Sequence, residues 1–450
     1  MMKYYDVIIV GGGVSGAALL YTLSNYTNIK NIAILEKTGE FGSVNSKLTQ
    51  NSQTLHFGDI ETNYTLEKSI KVKHNTDMLR HYLDNTKYKH KGLFTIYPKM
   101  VIAVGDEEIE ELSKRYEDFK KLFPKLKKIG RDEIAQIEPN VIKGRDPNEK
   151  IIALYSEEGY TVDFGKVAEA LVSDSKREGV DIFTNTKLRK ITRKKESNTY
   201  IIETKNTRTK DGQLFEAPVV IVTAGAHSIL IAQSLGYGTE YGILSVAGSF
   251  YNSHRKLLNG KVYTMQKKKL PFAAVHGDPE VHNPNITRFG PTAKAIFMLE
   301  RRNYGTVGEY FRTLGFGWKQ IATVVKLGVD PIISRYMLRN LFYDWPIIGK
   351  RLFLKEARKV VPTITAKDLY YDNRYGGNRP QIVNINKRTM DTGEAKIVGE
   401  NIIFNITPSP GASTCLGNAY IDAQKITEFL HSVGINAHFD KAKFEKKYVK

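Results

Sequence analysis

Gly11-x-Gly13-x-x-Gly16 follows a β-branched run at residues 4–10 and opens an Ala/Leu-rich stretch. Glycines at this spacing, between a strand and a helix, can hold a pyrophosphate. Gly11 permits the tight turn, Gly13 lets the backbone approach the phosphates, and Gly16 lets the helix pack closely on the strand. The diphosphate would rest on the helix N-terminus. Glu36 lies twenty residues beyond Gly16, at the end of a second apolar run, Asn31-Ile-Ala-Ile-Leu. A carboxylate there accepts hydrogen bonds from a ribose hydroxyl pair and disfavours a 2′-phosphate.

These residues require a βαβ unit at the start of the chain, and similar signals return later. Asp163 is placed to cap a helix running to about Arg177, with Gly179 closing it and Val180-Asp-Ile-Phe following as a strand. Residues 187–194 and 199–204 read as a strand pair, and 217–226 as a buried strand ending in a small-residue turn, where Ala224 and Gly225 let the backbone come near a bound cofactor. Residues 402–406 form a strand, 408–414 a tight loop, and Cys415 opens a helix through Leu430, which offers a second helix N-terminus to negative charge. Residues 75–140 read as helical and charged, and 240–390 as a separate antiparallel sheet with helices.

The 450 residues are enough for two or more domains, and 41% hydrophobic content is ordinary for a globular chain. The single cysteine, Cys415, excludes an intramolecular disulfide framework and cysteine-rich metal sites, and fits a reducing compartment. The N-terminus reads as a strand and lacks the features of a signal peptide, and no segment has the apolar length of a transmembrane helix. Lys and Arg outnumber Asp and Glu by 67 to 48, a net charge of +19, which favours anionic partners such as acidic metabolites, nucleic acid or an anionic lipid face.

Several further motifs are spread over nearly the whole chain: Asn51-Ser-Gln-Thr-Leu-His56, Glu61-Thr-Asn-Tyr-Thr65, Gly290-Pro-Thr-Ala, Arg379-Pro-Gln-Ile and Ser409-Pro-Gly-Ala-Ser-Thr414. With the glycine motif, they resemble FAD-dependent oxidoreductases of the glutathione-reductase type, in the branch of amino-acid oxidases and 2-hydroxy-acid dehydrogenases. Within it the chain resembles the malate:quinone oxidoreductase family. That family commonly reads NNAGTGHS where this chain has Gln50-Asn-Ser-Gln-Thr-Leu-His-Phe-Gly. The same region and Gly290-Pro-Thr-Ala also resemble L-2-hydroxyglutarate oxidases; the resemblance implies oxidation of (S)-malate to oxaloacetate with FAD taking the hydride, and oxidation of L-2-hydroxyglutarate is the alternative.

The resemblance implies an α/β fold: a glutathione-reductase-type FAD-binding domain with a Rossmann βαβ core, plus an antiparallel-sheet substrate domain with helices. With no internal repeat or linker, the domains are expected to be interwoven. Residues 1–74, 140–235 and 395–450 are assigned to the cofactor, and 75–139 and 236–394 to the substrate and quinone side. Beside the three glycines and Glu36, the residues expected around FAD are Asn51, Ser52, Gln53, Leu188, Ala224, Gly225, Pro410, Gly411, Ala412, Ser413 and Thr414. The loop 410–414 would aim its helix at the flavin N1/C2=O edge, where charge accumulates on reduction. Covalent attachment through His56 or Cys415 stays open, and no metal is expected.

Oxidising a 2-hydroxy acid requires a base for the hydroxyl proton, a hydride acceptor and cations that orient the carboxylates. The resemblance sets the loop of His56 beside the isoalloxazine and makes His56 the expected base, since an imidazole can be neutral at pH 7. His276 competes, as base or as hydrogen-bond donor to the substrate. Arg379 is expected to grip a carboxylate in a bidentate way above the flavin. Arg288, Arg301 and Arg302 are unranked candidates for a second anchor, and Tyr64 offers a hydroxyl.

No second GxGxxG is present, so a separate nicotinamide domain is not expected, and a membrane quinone fits the family as electron acceptor. The protein would then sit peripherally on the cytoplasmic side of the inner membrane. Trp318, Ile321 and Val325 share one helical face, with Lys319 and Lys326 elsewhere, and Arg335 and Arg339 follow; such a basic amphipathic stretch suits an interface. Two rivals from other classes are an FAD-dependent tRNA-modifying protein, suggested by the charge and by runs such as Lys125-Leu-Lys-Lys and Lys267-Lys-Lys, and a non-catalytic FAD-binding scaffold. No RNA-binding module accompanies the basic runs, and nucleic acid is not an expected partner.

Overall fold

Val7–Val10 and Ile32–Leu35 are aliphatic at every position and buried at every position, as strands covered on both faces must be. In the computed structural model, which describes residues 2–266, 274–314, 338–345, 348–387, 389–391, 395–406 and 410–449, these two strands pair in parallel. They lie at the centre of a six-stranded sheet with Val180–Phe183 on one side and Val219–Val222, Ile402–Ile406 and the antiparallel edge Ala395–Gly399 on the other. Helix Val14–Tyr26 packs between Cys415–Ser432 and Phe164–Ser173. A side chain at Gly16 would run into the Gly11 carbonyl, so glycine is what lets this helix start so close to the sheet. The opposite face is covered by the antiparallel strands Thr186–Lys194, Thr199–Asn206 and Gly212–Ala217.

The helix capped by Asp163 runs Phe164–Ser173, four residues shorter than expected, with the Asp163 carboxylate accepting from Gly165 and Lys166 N–H. The apolar run at 217–226 divides, because Gly212–Ala217 and Val219–Val222 flank Pro218 and belong to different sheets. Proline has no N–H to continue a ladder.

A second, eight-stranded sheet carries Phe94–Val104, Ile151–Val162, Lys261–Thr264, His276–Pro279 and Thr287–Gly290 among its members. It is mixed rather than antiparallel throughout, since Lys261–Thr264 runs parallel to Phe94–Val104. A four-stranded antiparallel sheet joins Tyr241–Ala247 to Asn378–Asn384.

Three expectations need correction here. Residues 75–140 are not helical throughout: between helices Leu66–Asn85 and Asp106–Phe119 lies the eleven-residue strand Phe94–Val104, whose ladder slips at Pro98. Ile151–Val162, read with the cofactor segment 140–235, belongs to the eight-stranded sheet. Helix Leu66–Asn85, most of it read with the substrate side, packs against Cys415–Ser432. The stretch with Trp318, Ile321, Val325 and Arg335 lies outside the described residues, as do Ser409 and Lys267-Lys-Lys.

Candidate active site

The strand ends of the six-stranded sheet open onto an elongated cavity of about 350 Å3. Gly11, with φ +111°, turns the chain away from Val10; a Cβ there would stand 2.6 Å from the Thr223 carbonyl oxygen. The Thr223 hydroxyl donates to the Gly11 carbonyl at 2.9 Å, which locks the turn. Glu36, 7% exposed, accepts from the N–H of Gly12 at 2.7 Å and from the N–H and hydroxyl of Thr38 at 2.8 and 2.7 Å. These bonds fix its carboxylate at the cavity wall as an acceptor.

Gly11, Gly13, Glu36, Asn51, Ser52, Leu188, Ala224, Gly225 and the loop Pro410 to Ser413 all line this cavity. Backbone at the glycine turn, an acid at the end of the second strand and a second helix start at the far end fit an extended dinucleotide such as FAD. Gly16 supports the turn from behind. Two expected lining residues are not at the wall. Gln53 is fully buried, and its amide donates to the Leu48 carbonyl and Glu280 while accepting from Val281 N–H. Thr414 is also buried; it precedes helix Cys415–Ser432, and its hydroxyl accepts from Asn418. Cys415 is buried too and does not reach the cavity.

A second cavity, of about 90 Å3, adjoins the first, and Ser52, His56 and Arg379 line both. This junction is where a small molecule can meet the end of the cofactor cradle. His56 Nδ1 lies 2.7 Å from Glu61 Oε1, and Glu61 Oε2 accepts from Gly58 N–H at 2.9 Å. Burial alone would raise the Glu61 carboxyl, but the hydrogen bond from His56, with the Lys99 ammonium nearby, holds it below the usual carboxylate range. An ionised carboxylate only accepts, so Nδ1 carries the proton of the neutral ring and Nε2 is left as the basic nitrogen, 3.5 Å from Ser52 Oγ. The backbone N–H of His56 donates to Ser413 Oγ at 3.0 Å, tying the chain at His56 to the loop before the last long helix.

Buried cations hold the loop that carries this pair. Arg115 donates to the Tyr64 and Gly58 carbonyls at 2.8 and 3.1 Å, and its guanidinium lies 3.8 Å from the centre of the Phe119 ring. Lys99, 2% exposed, pairs with Asp59 at 2.8 Å. Glu61, Arg115 and Lys99 are all additions to the residues singled out from sequence. Glu61 lay within one of the quoted motifs, but only its contact with His56 gives it a role.

His276 lines the second cavity, stacked on Tyr263 with ring centres 4.4 Å apart. Its Nδ1 lies 3.3 Å from the Ala274 carbonyl, which can only accept, so Nε2 is an acceptor. The donor role considered for His276 does not fit this arrangement. Burial pushes the imidazole down to about 3, which makes it a far weaker base than an ordinary histidine. Tyr64 also lines this cavity.

Arg288 is placed elsewhere. It is fully buried, lines neither cavity, and donates to Asp278 at 2.6 Å and to the Ser52 carbonyl at 3.2 Å. Lys261, equally buried, donates to the same carboxylate at 3.0 Å and to Thr54 Oγ1 at 2.9 Å. The three charges sit behind the Ser52–Thr54 strip and shape it. Arg301 is occupied with the Gly248 and Tyr375 carbonyls and Ser249 Oγ, and Arg302 is exposed; neither lines either of these two cavities. Among the described residues, no cluster of ligands could hold a metal ion.

Comparison with known proteins finds similarity along nearly the whole chain. The family model described as malate:quinone oxidoreductase matches residues 3–422. A probable malate:quinone oxidoreductase of Campylobacter jejuni is 43% identical over 435 residues, covering 95% of this chain and 96% of the relative. A malate:quinone oxidoreductase of Helicobacter pylori is 41% identical over 441 residues, with 96% of each chain covered. Among solved structures, the dithionite-reduced L-α-glycerophosphate oxidase of Mycoplasma pneumoniae with FAD bound aligns with a TM-score of 0.65 at 18% identity, covering 96% of this chain and 95% of that one. Glycine oxidase from Geobacillus kaustophilus aligns at 0.63 and 16% identity, with 98% of each chain covered. These two share the fold.

Proposed function

The chain belongs to the malate:quinone oxidoreductase family, and we infer from that premise that it is an FAD-dependent enzyme oxidising (S)-malate to oxaloacetate and delivering the electrons to a quinone. The observation that carries this reading is the junction of the two cavities, where an oriented imidazole and a guanidinium meet beside the cofactor cradle. The glycine turn at Gly11 and Gly13, Glu36 and the loop Pro410 to Ser413 would hold FAD, which would supply a hydride acceptor for C2 of malate and a two-electron carrier to the quinone.

The protein's own residues do the rest. His56 Nε2 takes the proton of the C2 hydroxyl as the C2–H bond loses its electron pair, so that the alcohol becomes a ketone. Glu61 keeps Nδ1 protonated and faces the positive charge that forms on the ring. Arg379 binds a carboxylate and orients C2. His276 Nε2, buried at the cavity wall and without a hydrogen-bond partner among the described residues, is an acceptor left for the substrate. The loop Pro410 to Ser413, leading into helix Cys415–Ser432, would offer N–H dipoles to the part of FAD that gains negative charge on reduction.

Quinones reside in lipid, and the reading includes peripheral attachment to the cytoplasmic face of the membrane. Among the described residues no helix is long and apolar enough to cross a bilayer. Phe297, Tyr304, Phe311, Leu338, Leu341, Trp345 and Ile348 are exposed, with Arg302, Arg312 and Arg339 exposed beside them in the chain. Aromatic and aliphatic groups among basic ones suit an anionic lipid surface. Anaerobic titration of the holoenzyme with malate, 2-hydroxyglutarate, lactate and glycerol 3-phosphate tests the substrate. Flavin bleaching at the lowest concentration with malate is expected, and preferential bleaching by 2-hydroxyglutarate would reassign it.

A further inference from the structure

We propose that Lys68 is the second carboxylate anchor, the residue that makes the site select a dicarboxylate over a monocarboxylate 2-hydroxy acid. The inference rests on the malate reading above. Among the described residues, Arg379 and Lys68 are the lysine and arginine side chains lining the second cavity. Arg379 also lines the cofactor cavity and so stands at the near end, beside His56; Lys68 lines the second cavity alone. A 2-hydroxy dicarboxylate with its hydroxyl on His56 and one carboxylate on Arg379 must send its other carboxylate away from the cofactor, toward the wall that Lys68 occupies.

That wall is built to hold its place. Lys68 lies in the first turn of helix Leu66–Asn85, its N–H donating to the Thr65 cap at 3.2 Å, and its ammonium sits 4.2 Å from the centre of the Tyr64 ring. Arg115 holds the Tyr64 carbonyl, and Gln266 N–H donates to Thr62 Oγ1 at 2.9 Å, which joins the loop to the strand side of the cavity. The helix start adds positive potential of the same sign as the ammonium. Lys68 is half-buried, so its charge is less screened than on an open surface. The candidates read from sequence for this anchor, Arg288, Arg301 and Arg302, all lie outside the cavity.

The test compares wild type, Lys68→Met and Lys68→Arg as FAD-loaded proteins. Malonate, a dicarboxylate without an oxidisable hydroxyl, and acetate are titrated while the flavin spectrum reports binding, and KM is measured for malate and for lactate. Lys68→Met should weaken malonate binding and raise the KM for malate by roughly 10- to 100-fold, the scale of one charge-assisted hydrogen bond, with acetate binding and the lactate KM unchanged. Lys68→Arg should restore most of the malonate affinity. Equal malonate affinity in wild type and Lys68→Met overturns the proposal, as does an equal loss for acetate and malonate, which would mark a structural residue. A wild type that binds malonate through Lys68 yet is not reduced by malate would keep the anchor and refute the malate assignment.

Discussion

Replacing Glu61 by Gln should cripple the base without disturbing its surroundings. Glu61 Oε2 accepts from Gly58 N–H, so the carbonyl oxygen of a glutamine must occupy that position, and its amide NH2 then faces His56 Nδ1. An NH2 group donates, which forces Nδ1 to accept and moves the ring proton to Nε2. The nitrogen facing the cavity is then already protonated. The loss has a second part, since the carboxylate no longer faces the imidazolium that forms as the hydroxyl proton is taken. At 2.7 Å, with His56 and Glu61 side chains 15% and 10% exposed, this pair is little screened by water. Loss of a positioned general base costs roughly 10²–10⁴-fold, or about 3–5 kcal/mol of barrier at 1.36 kcal/mol per tenfold. Anaerobic stopped-flow mixing with malate should show this fall in the limiting rate of flavin reduction, with FAD content and the malate dissociation constant nearly unchanged. Glu61→Asp, which keeps the charge, should recover part of the rate. A Glu61→Gln enzyme reduced as fast as wild type would refute the assignment of the dyad.

Three other outcomes follow from the same structure. Glu36→Ala should remove charge-assisted bonds to the cofactor ribose worth about 1.5–3 kcal/mol each, so FAD should leave on dilution and desalting; full retention would count against that contact. Arg379→Lys keeps the charge but not the planar fork, and should lower kcat/KM for malate while FAD stays bound, as steady-state assays with a soluble dye will read. Asp278→Asn leaves Lys261 and Arg288 buried without a counter-charge and should destabilise the fold by about 3–5 kcal/mol, seen as a drop in melting temperature of the holoprotein.

The cofactor cradle was readable in the sequence because its signals lie close together along the chain: Gly11 takes a positive φ, Gly16 faces the Gly11 carbonyl within the same turn, and Glu36 follows directly on its own strand. What depends on pairing between distant segments was not. Arg288 looked like a free cation, yet the antiparallel register sets it directly opposite Asp278, and the two neutralise each other inside the sheet. The strand Phe94–Val104 was hidden by Pro98 and Lys99, which break the apolar pattern; Lys99 is buried there because Asp59, from a loop forty residues earlier, meets its ammonium. Gln53 and Thr414 lie in motifs that touch the cavity, but their own side chains turn inward to brace loops. Glu61 had the same obscurity, since a loop carboxylate shows its purpose only when the imidazole it orients is seen beside it.

The central claim, that malate reduces this protein and a quinone re-oxidises it, is tested most directly by sequential mixing of the holoenzyme without oxygen, first with malate and then with a short-chain quinone, while flavin absorbance is followed. The account predicts bleaching by malate with one oxaloacetate formed per flavin, then full recovery of absorbance with one quinol formed. A flavin that stays oxidised in saturating malate, or a reduced one that quinone does not re-oxidise, would contradict it.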